Sequence, residues 1–359
     1  MPSELRSCLI CYPYYSSKHT GRGHDRYIFE LSEGIKRLHP DLGPRLLHQG
    51  FSKSMTRAAL KQPRLIADLL RTKADLYHAM SPIGGATAAI LRKHPLVVII
   101  HDLVPFHYSG EYDNPIKYKY YRICTRICAK KSDAVIVPYE VTKRELIERF
   151  KLPESKIHVV NYGVDHATYF PRNSKSRGEK ATKTILYIGE VSRSKGVDAL
   201  LRAYSIVEQK MDGVELVIGG KKSKDKVMLD DLAQELCIKR VTFLGYVPEE
   251  ELPQRYSSAD VMVYPSRAGF GLSTLEAMSC GTPVVVGATL DAPEFVSDAG
   301  VLVDPDDTEQ MAQAILKTIS DVKVAEQLSA KAVERAKSFS WENTANGTAG
   351  VYREILSNR

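Results

Sequence analysis

Long apolar runs are missing from this chain of 359 residues. The longest uncharged apolar stretch, Pro95–Ile100, is far too short to cross a bilayer, and the opening MPSELRS has neither the basic nor the apolar block of a secretion signal. Cysteine is scarce, six in all, which excludes a disulfide scaffold and suits free thiols in a reducing compartment. A cytoplasmic location is the expectation. Cys8-x2-Cys11 with Cys124-x3-Cys128 has the spacing of a four-thiolate zinc site. Yet SCLICY reads as a strand, where a separation of three sends the two thiols to opposite faces, so buried thiols are expected instead. Internal repeats and long low-complexity segments are also absent.

What is present is ordinary soluble usage, 43% hydrophobic and 26% charged, in a chain too long for one core. The net charge of +7 is unevenly spread: residues 1–170 hold 26 Lys+Arg against 16 Asp+Glu, the rest 24 against 27. A basic first half attracts anionic partners, whether phospholipid, phosphorylated acceptor or nucleic acid. No RNA or DNA module accompanies the charge, so nucleic acid is not expected as a partner.

Short β-branched runs alternate with helical patterns throughout, the signature of parallel sheets with crossover helices. The runs LICYPY, DLYHA, LVVIIHD, DAVIVPY and KIHVVNYG form a first series, and TILYIGE, VELVIGG, VTFLGYV, VMVYPS and PVVVG a second. Their near-continuous apolarity suits strands covered on both faces. Between the series lies PRNSKSRGEKATK, charged and Ser-rich. The expected division is therefore an N-terminal domain over 1–170, a linker over 171–183 and a second domain over 184–340. A C-terminal helix over 341–359 is expected to pack back on the first domain.

Chemistry concentrates in VMVYPSRAGFGLSTLEAMSCGTPVVVG, residues 261–287. A strand runs into Ala268-Gly269-Phe270-Gly271, and a helix begins near Leu272. Open N–H groups at that helix start can seat a diphosphate on the positive end of the dipole, with Glu276 one turn inside to reach outward to sugar hydroxyls. A tight packing turn with a surface glutamate would leave the same trace. Asp304-Pro-Asp306 has a DxD spacing, but it reads as a strand end and the acidic start of a helix, and no obligatory metal is expected. Lys117–Lys131, KYKYYRICTRICAKK, mixes six basic residues with three tyrosines at helical spacing. It suits either an anionic membrane surface or a solvated helix face.

Several blocks in register give the chain a close resemblance to glycosyltransferase family 4, the large retaining family with the GT-B fold. They are YIFEL, VVIIHDL, SDAVIVPYEVTKRELIERFKLPESKIHVVNYGVD, YIGEVSRSKGVDALLRAY, VTFLGYVPEEELPQRYSSADVMVYPS, GFGLSTLEAMSCGTPVV, APEFVSDAGVLVDPDD and FSWE. The resemblance implies two Rossmann-like domains facing a cleft, with the donor held by the C-terminal one. It implies no obligatory cofactor, a UDP-, GDP- or ADP-linked sugar as donor substrate and a glycan or glycolipid as acceptor. It places Lys195 on the donor diphosphate, Glu276 on the ribose, and Phe270, Gly271, Leu272, Ser273 and Val247 along the donor. Gly21 and Gly23 fall in a phosphate loop of the first domain, and His101 faces sugar and acceptor across the cleft. Capping of the next turn by the His-Asp pair is the alternative role for His101.

Four positions depart from the pattern. Ala268 stands eight residues before Glu276 where a first glutamate belongs, and Glu190 stands five before Lys195 where many members carry arginine. Arg193 is the candidate for that missing positive charge. Tyr139 replaces a serine, and Asn161-Tyr162 replaces Pro-Asn. No matched carboxylate is placed as a nucleophile, which favours a front-face route resting on Lys195, Arg193 and the helix dipole. A non-catalytic nucleotide-sugar binder, a membrane-recruited protein and a sugar-nucleotide epimerase of similar fold are the alternative functions.

Overall fold

The apolar runs become two six-stranded parallel sheets, each wrapped by crossover helices. A computed structural model of the chain describes residues 7–11, 23–48, 62–107, 115–172, 182–221, 223–267, 271–289 and 291–358. The chain divides into a first unit of 1–163 with 341–359, and a second of 164–340.

In the first unit the strands are β1 (Ser7–Cys11), β2 (Arg45–His48), β3 (Leu76–Ala79), β4 (Leu96–Ile99), β5 (Ala134–Val137) and β6 (Ile157–Val159). Their order is β2-β1-β3-β4-β5-β6, every pairing parallel. β3, β4 and β5 are buried along their whole length, as continuous apolar runs require. Cys128 belongs to the core cluster beside β4 and β5. Both Cys124 and Cys128 are buried free thiols, and burial pushes them up from the ordinary thiol range. Helix Trp341–Ser357 packs against helix Gly23–Leu38, where a Cβ added to Gly34 would lie 2.9 Å from the Ala345 Cβ. Glycine there lets the two helices approach closely.

The second unit contains β7 (Lys183–Ile188), β8 (Val214–Gly219), β9 (Val241–Gly245), β10 (Val261–Tyr264), β11 (Val284–Gly287) and β12 (Val301–Val303). Their order is β12-β11-β10-β7-β8-β9, again parallel throughout. The strand sequence reverses between β7 and β10, so the loops leaving these two strands flank a topological switch point.

The division falls after Gly163, seven residues before the sequence-based limit at residue 170. The intervening segment is tied to the second unit by its own polar groups. Val164 bridges to Ser340, the two His166 ring nitrogens lie 2.9 Å from the Ser279 hydroxyl and the Phe339 carbonyl, and Ser279 donates to the Tyr169 carbonyl at 2.7 Å. Of the expected linker, residues 173–181 lie outside the described residues, whereas Lys183 already opens β7. No helix among the described residues is long and apolar enough to cross a membrane.

Candidate functional site

At the switch point of the second unit the backbone is packed against itself. Gly196 (φ +73°) lies so close to the loop after β10 that an added Cβ would meet the Pro265 carbonyl oxygen at 2.0 Å. Gly220 (φ +147°), just past β8, would place a Cβ 1.6 Å from the Gly189 oxygen past β7. Only glycine satisfies both the positive φ and the contact. The ends of β7, β8 and β10 are thus drawn into one surface.

On that surface Arg193–Lys195 forms a single 3-10 turn ahead of helix Val197–Lys210. Asp225 Oδ2 accepts the Arg193 backbone N–H at 3.0 Å. The Arg193 side chain is half exposed, with Nε 3.9 Å from Asp198 Oδ2, and Lys195 is partly exposed. Glu190 is exposed, its backbone carbonyl taking the Tyr187 hydroxyl at 2.8 Å.

A residue passed over in the sequence, Arg267, binds this turn to the sheet. Only 6% exposed, it donates from Nε and Nη2 to Asp306 Oδ1 at 2.8 and 2.6 Å, and from Nη1 to Asp198 Oδ1 at 3.0 Å and the Arg193 carbonyl at 2.8 Å. Its own backbone N–H reaches the Ser194 carbonyl. The DxD-like segment is therefore occupied otherwise: Asp306 faces Arg267, and Asp304 Oδ1 accepts the Asp306 backbone N–H at 2.9 Å. Among the described residues no three His, Cys, Asp or Glu are grouped to hold a metal ion.

Four residues beyond Arg267 the chain enters helix Leu272–Ser279 through Gly271 (φ +53°), where a Cβ would press on the Phe295 ring at 2.9 Å. The Thr274 and Leu275 N–H groups turn back to the Gly271 carbonyl. By helix geometry, the donors of Leu272 and Ser273 are those with no carbonyl one turn behind them. Glu276 does not reach outward as a surface group. It is 5% exposed, and Tyr256 Oη donates to its Oε2 at 3.0 Å, because the carboxylate sits on the face of the helix turned to helix Leu252–Ser258. Val247 is buried beside Gly219, its Cγ2 2.7 Å from where a Cβ there would stand. Ala268 and Phe270 lie outside the described residues.

The first unit carries His101, two residues past the β4 end. Its imidazole is fully buried, with Nδ1 2.9 Å from Tyr162 Oη and ring contacts to His24 (4.5 Å), Tyr27 (5.0 Å) and Tyr162 (5.9 Å). Burial, then the neighbouring His24 and His78, hold it well below the ordinary histidine range, against an opposing hydrogen bond to the Met80 backbone. His101 is neutral here. Asp102 caps the next turn, its Oδ1 accepting the Val104 N–H at 3.1 Å. Tyr139 and Tyr162 are both fully buried and meet edge to face at 5.9 Å, so these two departures extend the aromatic cluster around His101. Gly23 is the first residue of its helix, while Gly21 lies outside the described residues.

The model of the Glycosyl transferases group 1 matches residues 170–335, and that of Glycosyltransferase Family 4 matches residues 16–168. The O-antigen chain mannosyltransferase B of Escherichia coli is 30% identical over 305 residues, covering 82% of this chain and 78% of that protein. The chain belongs to the group 1 glycosyltransferases. A D-inositol 3-phosphate glycosyltransferase of Corynebacterium glutamicum strain R is 28% identical over 92% of this chain and 84% of that protein. Among solved structures, sucrose-phosphate synthase of Thermosynechococcus elongatus superposes with a TM-score of 0.83 at 21% identity, covering 99% of this chain and all of that one. Anabaena HepE in complex with UDP and glucose gives 0.76 at 20% identity over 98% of this chain and all of that one. This glycosyltransferase has the GT-B fold. Its two family matches meet within the segment 164–172 that the second unit holds, and its Arg193, Lys195, Arg267, Gly271 and Glu276 all fall in the group 1 half.

Proposed function

We propose that the chain transfers a hexosyl group, of mannosyl or glucosyl type, with retention from a nucleotide-diphosphate sugar to a hydroxyl of a glycan or glycolipid. The observation carrying this reading is the switch point of the second unit. A turn bearing Arg193 and Lys195 and the opening of helix Leu272–Ser279 are joined there through Arg267, whose amide reaches Ser194 four residues before Gly271. Two side-chain cations and a helix dipole at two neighbouring strand ends suit a pyrophosphate. The E. coli relative is named a mannosyltransferase, and HepE is described with UDP and glucose, which supports such a donor.

In the proposed step the acceptor oxygen bonds to the anomeric carbon on the face from which the diphosphate leaves. The C–O bond to phosphate breaks with its electron pair on the phosphate oxygen, and that oxygen takes the hydroxyl proton. Lys195 and Arg193 neutralise charge growing on the leaving group, while the Leu272 and Ser273 N–H groups receive phosphate or sugar oxygens. Glu276, steadied by Tyr256, takes a ribose hydroxyl, and Val247 walls the donor seat.

The acceptor side has its own support in helix Pro115–Lys131, which carries no acidic residue. Ile116 (71% exposed), Tyr120 and Ile123 form one exposed apolar row at helical spacing, flanked by exposed Lys119, Arg126 and Lys130. A solvated helix face needs no such row. We assign this face to an anionic membrane surface at which a lipid-linked acceptor is met.

Substituting Lys195→Ala and Glu276→Ala tests the site. Each is expected to lower donor turnover or affinity at least about tenfold, measured against a panel of UDP-, GDP- and ADP-sugars. Wild-type kinetics in both variants would remove the assigned donor seat, and donor hydrolysis or epimerisation without any acceptor would replace transfer as the reaction.

A further inference from the structure

Arg267 is a charged side chain at the centre of the switch point, yet its guanidinium is already committed. Nε and Nη2 converge on Asp306 at 2.8 and 2.6 Å, and Nη1 takes Asp198 at 3.0 Å and the Arg193 carbonyl at 2.8 Å. At 6% exposure, with two carboxylates against it, it is not itself placed to receive a phosphate. We propose that Arg267 is a positioning residue, fixing the Arg193–Lys195 turn in the geometry that receives the donor diphosphate. The inference deepens the proposed donor site and rests on that reading.

Three features carry it. First, Arg267 ties loops leaving three strands: its own, after β10; the Arg193–Lys195 turn, after β7; and Asp306, after β12. A planar guanidinium with donors in a fixed fork can span these partners at once, which an ammonium on a flexible stem cannot. Second, the turn is pinned on both sides of Lys195. Ser194 accepts the Arg267 amide, and Gly196 abuts Pro265 with no room for a methyl group, so the reach of Lys195 depends on the loop that carries Arg267.

Third, Arg267 holds Asp198. Asp198 stands on the first turn of helix Val197–Lys210, where its carboxylate faces both arginines. Its Oδ1 is drawn to Arg267 at 3.0 Å, while Arg193 Nε stays 3.9 Å from Oδ2, beyond hydrogen-bonding distance. Arg267 is thus the arginine that takes Asp198 at hydrogen-bonding distance, which anchors the start of helix Val197–Lys210 directly behind the turn.

The test compares binding of UDP, GDP and ADP with binding of uridine, guanosine and adenosine by calorimetry, using the full chain. The preference for diphosphate over nucleoside measures the phosphate seat alone. Arg267→Gln and Arg267→Lys are expected to lower that preference about tenfold while leaving nucleoside affinity unchanged. In turnover assays the donor KM rises and the acceptor KM does not. A purely structural arginine would instead reduce the folded fraction, with both KM values unchanged.

If Arg267→Gln does not fold, Arg267→Lys and Asp306→Asn carry the test, since Asp306 is 69% exposed and its amide keeps the shape of the network. Folded variants that keep the wild-type diphosphate preference overturn the inference. Lys195→Ala separates the two levels. If it abolishes the preference and the Arg267 variants do not, only the positioning role fails; if the wild-type protein shows no diphosphate preference at all, the donor site fails with it.

Discussion

The Nδ1 of His101 lies 2.9 Å from the hydroxyl of Tyr162, sixty-one residues later in the chain, within a fully buried cluster of rings. The same hydroxyl is 3.4 Å from the His101 carbonyl, so one phenol holds the imidazole to its own backbone. Tyr162→Phe removes the hydroxyl that contacts both the imidazole and the carbonyl of His101. A loss of about 1–3 kcal/mol is expected, read from denaturant midpoints at unchanged m-value, together with a fall in turnover. Unaltered stability would show that the ring contacts alone hold His101.

Acid should weaken the fold. Burial pushes His78 down to about 3, and His101 also lies well below the ordinary histidine value, so both stay neutral in the folded chain. Unfolded, each protonates near pH 6.5. Below that pH the unfolded state binds more protons, and stability falls as pH falls, the His78 share ceasing only near pH 3. The expected slope is about 1.4 kcal/mol per pH unit for each residue. Denaturation midpoints that stay flat between about pH 7.5 and about pH 5 would contradict it. His78→Gln should make the slope shallower.

Gly196→Ala and Gly220→Ala each put a methyl group onto a carbonyl oxygen from a backbone that L side chains rarely adopt. Each is expected to cost at least about 3 kcal/mol or to prevent folding. Gly350→Ala is the control, since nothing lies within 4 Å of its added Cβ. Equal thermal stability of all three variants would mean the strand ends are not packed as described.

Ile116→Glu and Ile123→Glu replace exposed apolar side chains in a helix whose charged residues are all basic. Neither should alter the melting temperature much, as both side chains are solvated. Co-sedimentation with vesicles rich in anionic lipid is expected to fall about tenfold for the pair, and with neutral vesicles to be weak for all variants. Undiminished sedimentation of the double variant would leave this face without a membrane role.

The sheets were legible because strands covered on both faces must be apolar throughout, as LVVII and AVIV are. β2 was not, for a four-residue edge strand such as Arg45–His48 needs no such run. Lys195, Gly271 and Glu276 stood out through local motifs, yet nothing local announced Arg267, whose carboxylate partners lie 69 and 39 residues away. The burial of Glu276 was missed for the same reason, its partner Tyr256 lying on another helix. The charged segment after Phe170 suggested a boundary there, whereas hydrogen bonds that tie His166, Tyr169 and Arg172 into the second unit decide it earlier.

Because helix Trp341–Ser357 belongs with residues 1–163, the unit of residues 164–340 is the contiguous one and the other is interrupted. On the ribosome, residues 164–340 can complete their core as soon as they emerge, while the earlier-made unit waits for the final helix to cover Tyr27 and His78. The segment synthesised first is therefore finished last, and a chain stalled after Ser340 would expose an open apolar seam on its N-terminal portion to chaperones and proteases.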